Sequence, residues 1–284
     1  MNFMTPAEIS ASVCAAGKAK TELPILKMIA LGILAGVYIG FGANLATKVG
    51  SAPDADSAIG IFLFGAVFSV GLMLVVIAGA ELFTGNNMAC FASAINGQAS
   101  WSGVLYNWVV VWLSNFAGSL LLVYIIFFGM YWMAVDPATG AVGLSAMGAK
   151  AVAIAKGKLS LTWGAAFLRA ICCNWLVCLA VWMAFAAKDI VGKIFGIFFP
   201  IMAFVSSGFE HSVANMFFIP MGITIAQNAP AAVAEKMAMT PEAVTAMFNY
   251  GHLMTANLIP VTLGNIVGGA FFVGTFYWFI YLKK

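Results

Sequence analysis

A chain of 284 residues that is 63% hydrophobic and 8% charged, with a mean hydropathy of +1.01, cannot cover itself with a water-facing surface, since a soluble domain carries roughly 25% charged residues. It reads as an integral membrane protein with little room for a separate soluble domain, and a net charge of +3 is too small to argue for nucleic acid. The five cysteines, Cys14, Cys90, Cys172, Cys173 and Cys178, form no CxxC pair, and His211 and His252 are the only histidines. The sequence therefore argues against a redox membrane enzyme; no metal or cofactor is expected, and the cysteines read as small apolar fillers.

The first 26 residues mix polar and apolar side chains, with no basic region and cleavage site ahead of them, so the start is expected to be retained. Thr5-Pro6-Ala7-Glu8 has the form of a helix start, threonine as cap and proline in the first turn. This predicts a surface helix over 1–26 along the cytoplasmic face, a place where a cytoplasmic partner could bind. At about 20 apolar residues per crossing, residues 27–284 hold six spans, at 27–49, 58–95, 104–134, 162–187, 192–226 and 248–281. Spans two and five are too long for one straight crossing. Each carries the same pattern, G-x-E-x-x-x-x-N, once at Gly79, Glu81 and Asn86 and again at Gly208, Glu210 and Asn215, 129 positions later.

Each long span is therefore read as two half-helices joined by irregular backbone, which a membrane tolerates only where it lines a cavity or is buried in protein. A second repeat supports the first. Asn107, Val111, Leu113, Asn115 and Gly118 recur as Asn257, Val261, Leu263, Asn265 and Gly268, 150 positions on. Three crossings per half is an odd number, so the halves run in opposite directions. The fold class is an all-α membrane protein, an aquaporin-like inverted 3+3 repeat with spans two and five broken. Placing the N-terminus inside puts Lys18, Lys20, Lys27, Lys188, Lys193, Lys283 and Lys284 on the cytoplasmic side, a modest positive-inside bias. Lys150, Lys156 and Lys158 then lie on the outer side in the 135–160 loop, as a solvated loop or as a lure for anions.

Within the breaks, His211 lies opposite a stretch containing Thr84 and reads as pore-lining, either exchanging a proton with a weak-acid anion or donating a hydrogen bond while neutral. Glu81 and Glu210 would repel anions if they lined the passage, so they are expected to cap backbone N–H groups at the breaks. Asn174, a lone amide in an apolar run, reads equally as a pore donor or as a helix–helix hydrogen bond. Arg169 is the only arginine and reads as snorkelling or as a subunit contact. Phe68, Leu72, Leu82, Phe83 and Phe204 lie near the breaks, where apolar rings either pack or strip water from an ion.

Four stretches then carry a resemblance. They are Gly79–Thr84, Asn174–Met183, Ser207–Met216 and Pro260–Asn265, and with them the chain resembles the formate/nitrite transporter family over nearly its whole length. The resemblance implies a six-span protomer in a homopentamer, in the lipid of a prokaryotic plasma membrane with both termini cytoplasmic, each protomer having its own pore and no enzymatic activity. It makes Leu82, Phe83 and Thr84 the loop that breaks span two. Phe68, Phe83 and Phe204 become the outer constriction and Leu72 the inner one. His211 becomes the central histidine near Thr84 and Asn174, and Lys158 an outer-mouth lysine. The implied cargo is a small monovalent anion, formate favoured over nitrite or hydrosulfide. The competing reading is a neutral-solute pore of the water or glycerol type, which shares the broken-helix plan; no Asn-Pro-Ala pair supports it.

Overall fold

The computed structural model describes residues 3–283. Helix α1, Pro6–Thr21, opens on a capping box in which the Thr5 side chain takes the Glu8 N–H and Glu8 reaches back to Thr5. Helix α2, Ile25–Val49, crosses next, followed by α3, Ala58–Gly79, whose last turns, Leu74–Gly79, widen to a π-helix. The chain breaks at 80–82 and resumes as α4, Phe83–Ile95, before the long α5, Trp101–Phe128. A hairpin of β1, Met133–Val135, and β2, Val142–Leu144, leads to α6, Ala146–Leu159, and then to α7, Trp163–Ala186. Helix α8, Ile190–Ser206, ends at the second break, and α9, Ser212–Asn228, continues beyond it. A bend of 113° joins α9 to α10, Pro230–Met237; α11, Pro241–Met247, and the long α12, Tyr250–Tyr281, finish the chain.

Six expected spans thus correspond to α2, α3 with α4, α5, α7, α8 with α9, and α12. Three expectations change. The loop that breaks span two ends at Leu82, and Phe83 and Thr84, expected within it, open the first turn of α4. The 135–160 loop is not a solvated loop, because Met147, Gly148, Ala151, Val152, Ala155 and Leu159 recur at helical spacing and are buried in α6. Helix α1 is seated in the helical body rather than apart from it: Ile9, Val13, Cys14 and Gly17 are buried, and Gly17 lies so close to the Ala89 carbonyl of α4 that no Cβ would fit. Helices α1 and α6 are counterparts, each delivering a lysine from its last turn, Lys20 and Lys158. The repeat therefore runs α1 to α5 and again α6 to α9 with α12.

The duplication is legible in the backbone. Gly79 and Gly208 have φ of 90° and 70° at the two breaks, a left-handed conformation that glycine adopts without strain. Gly118 of α5 and Gly268 of α12 each abut a carbonyl of the first crossing of the same half, Ile33 of α2 and Ile171 of α7, with no space for a side chain. Two bonds join positions that are equivalent under the repeat. Ser69 Oγ donates to the Phe198 carbonyl at 3.2 Å, and Trp112 Nε1 donates to Thr262 Oγ1 at 3.0 Å. Such contacts arise where two copies of one unit meet about a shared axis, which supports the inverted arrangement.

Candidate functional site

Breaking a helix inside a membrane frees N–H and C=O groups that lipid cannot satisfy. Both breaks solve this with one asparagine from the third crossing of the same half. Asn115 Oδ1 accepts the Phe83 N–H at 2.9 Å, while its Nδ2 donates to the Gly32 carbonyl at 2.8 Å and the Glu81 carbonyl at 2.9 Å. Asn265 repeats the arrangement: it accepts the Ser212 N–H at 2.9 Å and donates to Ala170 at 2.9 Å and Glu210 at 3.0 Å. A carboxamide suits this position because it presents a donor and an acceptor side by side.

These asparagines do what the carboxylates were expected to do. Glu81 Oε1 takes Lys20 Nζ at 2.6 Å and Oε2 takes Asn86 Nδ2 at 2.7 Å. Glu210 Oε1 takes Lys158 Nζ at 2.9 Å, and Oε2 takes Asn215 Nδ2 at 2.7 Å and Asn257 Nδ2 at 3.3 Å. Neither carboxylate side chain receives a backbone N–H among the described residues, which corrects the capping expectation. The physical reason is charge: a carboxylate at this depth needs a cation, and the docked short helix brings one. Asn107 and Asn257 complete each cluster by donating to the carbonyls of Lys20 and Lys158, at 3.0 and 3.2 Å.

Each cluster lines a cavity. One, of about 460 Å³, is lined by Lys20, Glu81, Asn86, Leu31, Leu72 and Leu82 among others. The other, of about 170 Å³, is lined by Lys158, Glu210, Asn215, Phe68, Phe204 and His211 among others. The sequence profile of formate/nitrite transporters matches residues 7–279. A probable formate transporter from Methanothermobacter thermautotrophicus is 45% identical over the whole chain and 99% of its own length. The formate channel BtFdhC of Bacillus thuringiensis is 38% identical, over all of this chain and 98% of its own. A solved structure described as a pentameric formate channel with formate bound superposes with a TM-score of 0.76 at 39% identity, covering 91% of this chain and 98% of the other.

The chain belongs to the formate/nitrite transporter family.

In this formate/nitrite transporter His211 lines the Lys158 cavity, and buried Thr84 lies between Leu82 and Gly85, which line the Lys20 cavity. Thr84 Oγ1 and His211 Nε2 meet at 2.9 Å. His211 Nδ1 accepts the Ala214 N–H at 3.0 Å as the cap of α9, so the hydrogen of the neutral ring sits on Nε2 and points at Thr84. On the Lys158 side, Phe68 meets Phe204 edge-on at 5.8 Å and Phe204 stacks on His211 at 5.9 Å. On the Lys20 side, Leu72 and Leu82 line the cavity and are 1% and 3% exposed.

Two site residues take different places from those expected. The Phe83 ring does not join Phe68 and Phe204; it packs edge-on against Trp108 at 6.4 Å. Its N–H is the one held by Asn115, which turns the side chain away from that cluster, and Phe218 stacks on Phe68 at 6.2 Å instead. Asn174 lines neither cavity. Its Nδ2 donates to the carbonyls of Thr84 at 3.1 Å and Asn265 at 2.6 Å, so it fixes the backbone beneath Thr84 and has no N–H left to face the passage. Lys158 lines its cavity as expected, but its charge is paired with Glu210.

Sequence reasoning missed Lys20, Phe218 and the roles of Asn107, Asn115, Asn257 and Asn265. The signal for the asparagines was present, since they are the polar members of the second repeat. An amide recurring at equivalent buried positions needs partners in both halves.

Proposed function

We propose that the chain is a pore for small monovalent anions, formate foremost, working as a homopentamer in the cytoplasmic membrane with both termini inside. The observation that carries this reading is the Thr84–His211 contact of 2.9 Å set between two lysine-bearing cavities. The relatives named as formate channels and the pentameric neighbour support the cargo and the assembly. An anion enters the outer mouth beside Lys158 and sheds water at Phe68 and Phe204. It exchanges the Thr84–His211 hydrogen bond for bonds to itself and leaves past Leu72 and Leu82 toward Lys20. Because His211 Nε2 carries the hydrogen nearest the passage, the ring serves as a hydrogen-bond donor and, with a weak acid, as a proton partner.

The test is current and internal pH in proteoliposomes offered formate, nitrite, hydrosulfide and lactate separately. Formate is expected to give the largest flux. Acidification that matches uptake without net charge makes the crossing proton-linked, and charge movement without acidification makes it an anion channel. A protein that swells osmotically in water alone and passes none of these anions is a neutral-solute pore, and the anion reading is then wrong.

A further inference from the structure

The two cavities differ in size, about 170 Å³ on the Lys158 side against about 460 Å³ on the Lys20 side, and one pair of equivalent residues bears on the difference. The offset of 129 that matches Asn86 to Asn215 matches Ala89 to Phe218, three positions further along each half-helix. Ala89 lines the Lys20 cavity and Phe218 the Lys158 cavity. The larger cavity thus has a methyl group where the smaller one has a phenyl ring.

The Phe218 ring is held from several sides. It stacks on Phe64 at 6.3 Å and on Phe68 at 6.2 Å, and Phe217 meets it edge-on at 6.3 Å. The Lys158 ammonium lies 5.6 Å from its centroid, within the range of a cation–π contact. The ring therefore sits in the cavity wall between Lys158 and Phe68, on the approach to His211. Phe218 also lines a second cavity of about 10 Å³ with Asn44, Thr47 and Phe217, room for at most a single water. That is too little space for a phenyl ring to withdraw into, and a side chain packed this way gives up its position only with its contacts.

We propose that Phe218 is a specificity-determining residue of the passage: its ring sets a size limit on the Lys158 side, admitting formate and refusing monocarboxylates with a longer carbon chain. This rests on the transport reading above and adds which anions are turned away. Formate, acetate and propionate each present one carboxylate with one negative charge, so Lys158, Thr84 and His211 offer all three the same bonds. The three differ only in the carbons beyond the carboxylate, and those must fit against the aromatic wall. One carbon more or fewer in an apolar pocket changes a rate by roughly 10- to 200-fold.

The test is initial uptake of formate, acetate and propionate, each offered separately at one concentration and pH to proteoliposomes holding the full chain, with uptake by protein-free vesicles subtracted. Wild type is expected to take up formate at least about tenfold faster than acetate, and propionate more slowly still. Phe218→Ala, which copies the Lys20 side, is expected to shrink the formate-to-acetate ratio by about tenfold, and Phe218→Leu by less. A ratio is unaffected by the amount of folded protein, so a merely structural role for the ring would leave it at the wild-type value. That result in either variant overturns the proposal. An equal rise for all three anions also overturns it, since the ring would then be a general barrier and not a selector. Wild-type ratios need no variant to fold: similar rates for formate and propionate sink the proposal while leaving transport intact, whereas a wild type that carries none of the three overturns the transport reading instead.

Discussion

The two half-helix breaks are built alike and used differently. Glu81, Asn86, Asn107, Asn115 and Lys20 form one set of bonds, and Glu210, Asn215, Asn257, Asn265 and Lys158 form it again, with corresponding polar distances within a few tenths of an ångström. The side chains at the passage itself have diverged. Leu82 occupies the place of His211, Phe83 that of Ser212 and Val75 that of Phe204. The polar scaffold answers a requirement both halves share, that freed backbone and a buried carboxylate be satisfied in a membrane. The passage needs only one hydrogen-bonding centre, so one copy kept an apolar side chain where the other holds the imidazole.

If this division holds, damage to the scaffold should cost alike in either half. Asn115→Leu and Asn265→Leu each orphan one N–H and two carbonyls, and at about 1–3 kcal/mol per unsatisfied buried group each loss should be on the order of 4 kcal/mol. Thermal unfolding in detergent checks this. A variant in one half that unfolds like wild type, while its partner collapses, would break the equivalence.

The charged pairs come next and sharpen the comparison, because they are not equally buried. Lys158 is 17% exposed in its side chain and Lys20 24%. Glu210→Gln should cost about 3 kcal/mol, the toll of leaving a buried partner unpaired, and Glu81→Gln somewhat less, since water screens Lys20 better. Replacing both partners, Lys158→Met with Glu210→Leu, should lie closer to wild type than either single change. A double variant worse than both singles would mean that the pair does more than neutralise itself.

A smaller energetic effect with a larger functional one is expected where the halves diverge. His211→Leu makes the second break resemble the first. It removes the cap on the Ala214 N–H, worth about 1 kcal/mol by comparison with other N-caps, and it removes the partner of Thr84 Oγ1. The fold should survive with a slightly lower unfolding temperature, while formate flux falls and loses its response to pH. Unchanged flux and pH response would remove the imidazole from the mechanism.

Composition and period made the crossings readable, because lipid imposes a length and a polarity that any chain must meet. The breaks were readable because glycine and glutamate are conspicuous at depth. The partner of each carboxylate was not, since Lys20 and Lys158 lie 61 and 52 positions from their glutamates, in stretches whose composition reads as surface helix and solvated loop. Only the seating of α1 and α6 against α4 and α9 brings them in. Phe83 was misplaced for a related reason: one backbone bond to Asn115 sets its direction, and no spacing rule encodes that. His211 and Thr84 were found as separate residues, and their contact is a product of the two breaks meeting.

The smallest expected effect lies at the entrances of the two short helices, which differ in a way that pH can read. Helix α1 starts on a reciprocal box in which Thr5 and Glu8 satisfy each other; α6 starts on Ser145 alone, its hydroxyl taking the Gly148 N–H. The Glu8 carboxyl is held below its ordinary range, first by the Thr5 backbone N–H and then by the Thr5 hydroxyl. A carboxylate whose pKa is lowered by folding stabilises the structure above its unfolded pKa, and that contribution fades as pH falls through the folded value. Amide exchange in the first turn of α1 should therefore quicken on acidification below about pH 4, the ordinary glutamate range, whereas the first turn of α6 should not respond. Thr5→Ala should fray α1 by about 0.5 kcal/mol at neutral pH, and Glu8→Gln should abolish the pH response. Since α1 carries Lys20 to Glu81, fraying that reached its last turn would also disturb the cavity that Lys20 lines. A fray confined to the first turn should leave flux untouched, because the Gly17 contact with Ala89 lies between the cap and the lysine and holds the helix in its slot.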